Sequence, residues 1–198
     1  MAWLERVTLT GSHVRLEPLS GKHLPALAEA VKDGELWRLW YTFVPPPERM
    51  EGEIARRLDL EAKGSMLPFT VVAADTQRPV GMTTLMNADA VNRRVEIGAT
   101  WYGRSAQRGP VNTECKSLLL EHAFGKLDCI AVEFRTHFLN RSSRAAIERL
   151  GAKLDGVLRN HMRMPDGSLR DTCVYSIIAG EWPAVRTNLR WQMERPRE

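Results

Sequence analysis

Cysteine and metal-ligating patterns are the first features that this sequence lacks. Its three cysteines, Cys115, Cys129 and Cys173, are an odd number without a CxxC spacing, which argues against both a disulfide framework and a zinc site. The five histidines are scattered and show no HExxH spacing, so we expect no metal ion. Each cysteine is predicted to be a small buried apolar residue.

Long apolar runs and runs of charge are also missing. No stretch approaches the roughly 20 apolar residues of a membrane-spanning helix, and the opening MAWLERVTLTGS lacks the features of a signal peptide. We therefore expect a cytoplasmic protein that does not bind membranes. A net charge of +4 and a pI near 9.2, without a long basic run, suit an anionic cofactor as well as nucleic acid. Nucleic-acid binding is the weaker alternative.

The chain has enough length and apolar content for one sizeable core. It contains 198 residues, of which 43% are hydrophobic and 26% are charged, close to the averages of globular proteins. We expect a single domain over residues 1–198, with a core over about 7–180 and a helical tail over 181–198.

The order of apolar patterns and turn residues predicts one mixed α/β domain. Pro165-Asp166-Gly167-Ser168, for example, marks a turn between the last two strands. Strands are predicted at 14–18, 69–74, 80–86, 94–101, 130–138, 157–164 and 170–178, and helices at 22–31, 48–63, 111–126 and 141–150.

The pattern of residues 101–116 predicts a loop that binds an anion. A strand ends here, a loop with two glycines and two arginines follows, and a helix begins near Pro110. The first backbone N–H groups of a helix have no internal partner and lie at the positive end of its dipole, so such a loop can hold a phosphate. Neither GxGxxG nor GxxxxGK[ST] is present, and the loop alone is a weak signal.

Three spaced motifs carry a resemblance to a known family. The runs QRGPVNTECKSLLLEHAF, VEFRTHFLNRSSRAAIERLGA and DGSLRDTCVYSI together resemble the GNAT acetyltransferases, and among them the ribosomal-protein alanine N-acetyltransferases. The resemblance implies a single mixed, mostly antiparallel central sheet flanked by helices. It also implies direct transfer of an acetyl group from acetyl-CoA to a primary amine of a small molecule or a peptide N-terminus. Homodimers are common in the family, so a homodimer is a further expectation.

Two alternatives stay open beside this interpretation. One keeps the fold but uses a longer acyl donor such as succinyl-CoA, which would need a cationic partner near the acyl end. The other is a CoA-binding regulatory or interaction module without turnover. Two departures from the family pattern support the module: Pro110-Val111 in the loop, and Ile147 where many relatives have a tyrosine.

The resemblance implies that acetyl-CoA lies beside strand residues 96–101 and on the backbone amides of residues 108–113. Gly98 fits a bulge or a close backbone approach, with a glycine needed only for packing as the alternative. Asn140 matches a residue that contacts the cofactor in the family, and it is also a good helix cap. The predicted cofactor-binding residues are Ile97, Ala99, Thr100, Trp101, Arg104, Gln107, Arg108, Gly109, Val111, Asn112, Thr113, Asn140, Ser143 and Arg144.

Glu96 and Ser143 are the candidate catalytic residues. The attacking amine must lose a proton, and Glu96 is the candidate base because its strand faces the implied cleft. An ion pair with Arg93, Arg94 or Arg135 is an equal alternative for Glu96. Ser143 is the candidate acid that reprotonates the departing thiolate, with an ordinary helix-surface residue as the alternative. A backbone N–H of the Glu96 strand is the candidate oxyanion donor.

Aromatic residues and two residues of the last strands are candidates for the acceptor site. The aromatic run at 37–43 lies between the first two helices, and in relatives this loop shapes the acceptor pocket. Plain core is the alternative for these side chains. The last two strands close the acceptor side in the implied fold. The predicted acceptor-binding residues are Trp37, Trp40, Tyr41, His161 and Tyr175.

Overall fold

An eight-stranded sheet organises residues 3–195, the part of the chain that the computed structural model describes. The strands are β1 (Leu9–Thr10), β2 (Val14–Pro18), β3 (Met66–Ala73), β4 (Pro79–Asp89), β5 (Arg94–Tyr102), β6 (Ala131–His137), β7 (Lys153–Arg163) and β8 (Leu169–Ile178). The helices are α1 (Leu24–Lys32), α2 (Met50–Ala62), α3 (Val111–Gly125), α4 (Arg141–Arg149) and α5 (Trp182–Glu194).

The predicted order of strands and helices is confirmed. Predicted and observed bounds differ by at most four residues, because apolar periodicity fades at element ends. Strand β1 was not predicted, since its two residues are too few to show an alternation. The predicted helix at 22–31 begins instead with one 3₁₀ turn, Gly21–His23, followed by α1.

The sheet is mixed and mostly antiparallel, as expected. Its strands lie in the spatial order β1-β2-β3-β4-β5-β6-β8-β7, and β5–β6 is the parallel pair. Short turns connect β3 to β4 and β7 to β8 as antiparallel hairpins. A parallel neighbour requires a crossover, and α3 provides it between β5 and β6. The strand order places this parallel pair in the interior of the sheet, with β4 on one side and β8 on the other.

Each face of the sheet is covered by its own helices. On one side, called here the α3 face, Val95 and Phe134 belong to the core that packs under α3, α4 and α5. On the other side, called here the α1 face, Leu27 of α1 and Ile54 of α2 pack with Met82 of β4. Because successive strand residues alternate between faces, the parity of a residue decides which set of helices it meets.

The cysteines lie in the core, as expected. Cys115, Cys129 and Cys173 are all free and buried, which confirms their expected role as small core residues. No helix within residues 3–195 is both long enough and apolar enough to cross a membrane.

Candidate functional site

The two central strands separate toward their carboxyl ends. The last β5–β6 register pair joins Glu96 to Glu133. Beyond it, β5 continues to Tyr102 paired with β4, and β6 continues to His137 paired with β8. A gap therefore opens in the middle of the sheet, at the carboxyl ends of parallel strands, where ligands of such sheets commonly bind.

A bulge in β5 widens this gap. Ala99 adopts a left-handed conformation with φ of 47°, and Ala99 and Thr100 together lie opposite Thr83 of β4. The buried guanidinium of Arg57, on α2, donates to the Ala99 carbonyl at 3.1 Å and to Thr84 Oγ1 at 2.8 Å. This arginine holds the bulge in place from the α1 face.

Gly98 is required by the carboxylate beside it. A Cβ at this position would lie 2.8 Å from both Glu96 Oε1 and Met86 Sδ, closer than a carbon can approach without displacing one of them. Both contacts are with side chains, so they support the alternative of a glycine needed for packing, and the bulge itself falls one residue later. The missing side chain leaves room for the Glu96 carboxyl group.

The loop after β5 and the start of α3 present a row of unused backbone donors. Within residues 3–195, the N–H groups of Arg108, Gly109, Val111, Asn112 and Thr113 have no intramolecular acceptor. The preceding proline supplies no N–H, so the row holds five donors rather than six. Together with the helix dipole, these donors make a site suited to a phosphate group.

The same loop is fixed to the end of α1. Asp33 accepts hydrogen bonds from the Ser105 N–H through Oδ2 at 2.8 Å and from the Arg104 N–H through its carbonyl at 2.9 Å. Hydrogen bonding by the side chain and the backbone of Ser105 lowers the pKa of the Asp33 carboxyl. Gln107 donates to the Tyr102 carbonyl at 2.8 Å, so its side chain braces the loop. The side chains of Arg104 and Arg108 are exposed.

The first turn of α4 follows the carboxyl end of β6. Asn140 caps this helix, because its Oδ1 accepts the Ser143 N–H at 3.0 Å. Ser143 is half-buried in this turn. Arg144 donates from Nε to the Tyr175 hydroxyl at 3.0 Å and from a terminal N–H to the Phe138 carbonyl at 3.3 Å. Arg144 therefore ties α4 to the sheet.

Tyr175 lies away from the acceptor side that the sequence predicts for it. It is paired with Phe134 and fully buried on the α3 face, and its hydroxyl donates to Glu148 of α4 at 2.8 Å. Glu96, through its partner Glu133, lies on the opposite parity and faces α1. The interpretation of Tyr175 as an acceptor contact is corrected, because β8 residues of its parity face the core.

Glu96 is buried and only partly satisfied. Its Oε2 accepts from Asn87 Nδ2 at 2.8 Å and lies 3.5 Å from Arg135 Nε. No donor among the described residues reaches Oε1. Burial raises the pKa of Glu96, assisted by the charge of Glu133 and opposed by Asn87 and Arg135. Glu96 thus has the predicted ion-pair partner and also a free oxygen.

The aromatic loop divides into a core part and a surface part. Trp37 packs into the α1-face core, so the alternative of plain core applies to it. Trp40 is 48% exposed and Phe43 is 52% exposed. Trp40 meets the ring of His137 edge-on at a centroid distance of 5.1 Å, and Tyr41 meets it at 6.4 Å. This surface part covers the end of β6.

Two residues near this loop, His137 and Arg170, were missed by the sequence reasoning. His161, which was predicted, is exposed on β7 and contacts Thr172 Oγ1 at 3.1 Å. Arg170 is buried and donates to the same oxygen at 2.9 Å. The available signal was parity, because residues 133, 135 and 137 alternate with apolar residues along β6 and share the face of Glu96.

Comparisons with known proteins agree with this geometry. The family model described as the acetyltransferase (GNAT) domain matches residues 13–153. The structure of a GCN5-related N-acetyltransferase from Brucella melitensis is 31% identical with a TM-score of 0.83, covering 96% of this chain and 86% of that chain. Mycobacterium smegmatis RimJ in complex with CoA-disulfide has a similar fold, with a TM-score of 0.77 at 21% identity over 90% of this chain and 88% of that chain.

One curated relative is similar over part of its length. A protein of Bacillus subtilis (strain 168) named "Putative ribosomal N-acetyltransferase YdaF" is 33% identical over 103 residues. The match covers 52% of this chain and 55% of that relative. The chain therefore spans about half the length of the curated relative that it matches.

Proposed function

Because the chain belongs to the acetyltransferase (GNAT) family, we propose that it is an N-acetyltransferase that moves the acetyl group of acetyl-CoA to a primary amine. The observation that carries the proposal is the gap between β5 and β6, which ends on five free backbone N–H groups of the loop and α3. A thioester cofactor with a diphosphate matches a narrow cleft with anion donors at one end.

The residues at this gap fit such a cofactor. The N–H groups at 108, 109 and 111–113 would hold the diphosphate, with the exposed Arg104 and Arg108 adding positive charge. Residues 97–102 of β5 would hold the pantetheine arm, because β6 no longer occupies their open side. Asn140 and Ser143, in the first turn of α4, would line the other edge of the gap, because α4 follows the carboxyl end of β6.

Acetyl-CoA, when bound, supplies an acyl group that is already activated as a thioester. Glu96 takes the proton of the attacking amine through its free Oε1, directly or through water, and its raised pKa brings it closer to the neutral range in which a base works best. A backbone N–H at Ile97 or its neighbour would donate to the thioester oxygen as negative charge develops on it. As the C–N bond forms and the C–S bond breaks, the Ser143 hydroxyl would donate its proton to the departing sulfur and regain one from water.

The acceptor that we favour is the N-terminal amine of a peptide or protein. The ribosomal relative's name supports this choice over a small amine, and so does the exposed Trp40 and Phe43 surface beside the cleft. A cytoplasmic location and a homodimer stay predictions.

A second candidate keeps the fold and changes the donor. Arg135 lies 3.5 Å from Glu96, and Arg170 lowers the pKa of Glu96 through its charge. Two guanidinium groups near the base would suit an acyl chain that ends in a carboxylate, such as the succinyl group of succinyl-CoA.

Two measurements test these proposals in order. Thermal shift with CoA, acetyl-CoA and succinyl-CoA examines the cofactor, and a ligand at a hundredfold excess over its Kd should add about 2.7 kcal/mol of stability. No shift with any of them would remove the cofactor from the proposal. Free-thiol release with amino acids, peptides, polyamines and aminoglycosides then separates an enzyme from a CoA-binding module, which would bind but release no thiol.

A further inference from the structure

Arg170 is a buried residue whose guanidinium has few hydrogen-bond partners within residues 3–195. Only 9% of the residue is exposed, and its one hydrogen bond among the described residues runs from Nε to Thr172 Oγ1 at 2.9 Å. No carboxylate within residues 3–195 lies within 4.0 Å of it. A guanidinium has five N–H donors, and burying it without partners is costly. The unused nitrogens of Arg170 keep contact with solvent, so an oxygen of a bound ligand could take the place of water there.

His137 offers a second unsatisfied donor nearby. The residue is 4% exposed, and its Nδ1 accepts the Leu139 N–H at 3.0 Å. Burial, with the charge of Arg170, lowers the pKa of His137, so the ring is neutral near pH 7. Because Nδ1 is an acceptor in the neutral ring, Nε2 carries the proton. Among the described residues, Nε2 has no hydrogen-bond partner.

Both donors lie on the acceptor side of Glu96. His137 of β6 is the register partner of Thr172 on β8, and Arg170 lies two residues further along β8 on the same face. The charge of Arg170 acts on both Glu96 and His137. Trp40 covers the His137 ring, and Phe43 lies 6.0 Å from Arg170 Cζ. The two donors thus stand between the candidate base and the aromatic loop.

We propose that Arg170 and His137 together bind an oxygen of the acceptor, on the carbonyl or carboxylate carbon attached to the amine-bearing carbon. This inference rests on the proposed function and narrows its acceptor to an α-amine: a peptide N-terminus or a free amino acid. A simple alkyl amine would leave the buried Nε2 donor of His137 unpaired and would offer no oxygen to Arg170, and sites of this kind reject ligands that lack the matching group.

The matched acceptors for the test are an alanyl peptide, free alanine and isopropylamine, in which a methyl group replaces the carboxyl carbon. Wild-type protein should prefer an oxygen-bearing acceptor, and the faster of the first two identifies whether the oxygen is a peptide carbonyl or a carboxylate. In Arg170→Gln, the acceptor KM for that compound should rise about 10- to 100-fold. At a pH at which Glu96 is fully ionised, the rate with isopropylamine and the KM for acetyl-CoA should change less than about twofold.

Further variants separate recognition from structure. His137→Phe keeps a ring against Trp40 but removes the Nε2 donor, and we expect about a tenfold rise in the same KM. Arg190→Gln, on the exposed surface of α5, is the control and should behave as wild type. An equal loss with peptide and isopropylamine in Arg170→Gln, or an effect confined to the KM of acetyl-CoA or succinyl-CoA, overturns the proposal.

Equilibrium binding of a peptide tests the oxygen site even if no acceptor is turned over. In that case the proposed function fails, and calorimetry measures the Kd of the alanyl peptide with the CoA-loaded protein. Binding that weakens at least tenfold in Arg170→Gln supports the oxygen site. Peptide binding that is unchanged in the variant, or absent in wild type, overturns it.

Discussion

Glu96 and Glu114 are both buried glutamates, but they differ in how many hydrogen bonds their carboxylates accept. Glu114, on α3, accepts three backbone hydrogen bonds at 2.6–2.8 Å, from the N–H groups of Ser12, His13 and Val14. Glu96 accepts one amide hydrogen bond and keeps Oε1 free. The Glu114 carboxylate holds the β1–β2 turn against α3. The Glu96 carboxylate is held in place but has one oxygen without a donor among the described residues. Unused hydrogen-bonding capacity, rather than burial itself, distinguishes the site from the scaffold.

The buried cations repeat this contrast. Lys116 of α3 donates to Thr100 Oγ1 at 2.7 Å and to Thr83 Oγ1 at 3.2 Å, so it braces the bulge. Arg170 donates to one threonine and retains most of its donors. Glu114 and Lys116 therefore serve the fold, as does the buried Arg57, whereas Glu96 and Arg170 face the cleft.

The largest expected effect is the loss of turnover in Glu96→Gln. Glu96→Gln keeps the size of the side chain but removes the base, so turnover should fall by about 10²- to 10⁴-fold. Stability to denaturant should be unchanged or slightly higher, because burial disfavours the ionised form of Glu96. Acetyl-CoA binding, measured by thermal shift, should be retained.

Glu133→Gln is the matched control, since Glu133 is the register partner of Glu96 on β6. Its carboxylate binds Arg94 and Arg135 instead of facing the cleft with a free oxygen. We expect it to lose less than about tenfold in turnover. Full turnover in Glu96→Gln would remove Glu96 from the mechanism.

The opposite result is expected at Glu114. Glu114→Gln places an amide NH₂ against backbone donors and removes charge-assisted bonds, so the free energy of unfolding should fall by about 3–5 kcal/mol. Urea denaturation measures the loss. The fraction that stays folded should turn over at the wild-type rate, because Glu114 contacts the β1–β2 turn and not the cleft. A folded but inactive variant would contradict the structural role.

Much of this division could be predicted from sequence, and the reasons for the rest are physical. Element order follows from apolar periodicity, and the free amides after β5 follow from a helix start behind a loop. The partners of a side chain do not follow from periodicity. Tyr175 is predicted on the acceptor side because it lies on the last strand, but a one-residue difference in parity puts its side chain on the α3 face instead. His137 and Arg170 belong to no local motif, and their meeting depends on the β6–β8 register.

Lys116 provides a prediction of intermediate size. Burial lowers the pKa of Lys116 to about 8, while an unfolded lysine titrates near 10.4. Between these values the unfolded chain binds more protons than the folded chain, so this group makes stability rise with pH, by up to about 3 kcal/mol. Below pH 8 both states are protonated, and the cost of burying the charge is fully present.

Lys116→Met tests that window. Methionine fills the same space without a charge, and Thr83 and Thr100 still bond each other at 2.8 Å. The difference in unfolding free energy between Lys116→Met and wild type should favour the variant at pH 7 and shrink as pH rises from 8 to 10.4. Taking the difference cancels the titration of other groups. A difference that is flat across this range would show that Lys116 is not perturbed.

The smallest effect is on the pH dependence of the base. The charge of Arg135 lowers the pKa of Glu96, so Arg135→Gln should raise that pKa. Glu96 acts as a base in its ionised form, and the acidic limb of kcat/KM should therefore move to higher pH. Because Arg135 is one-third exposed and 3.5 Å away, solvent and salt screen its charge, and we expect the shift to be small. Arg94→Gln, which loses a partner of Glu133 instead, should move the limb less. A shift to lower pH in Arg135→Gln would show that the limb reports a group other than Glu96.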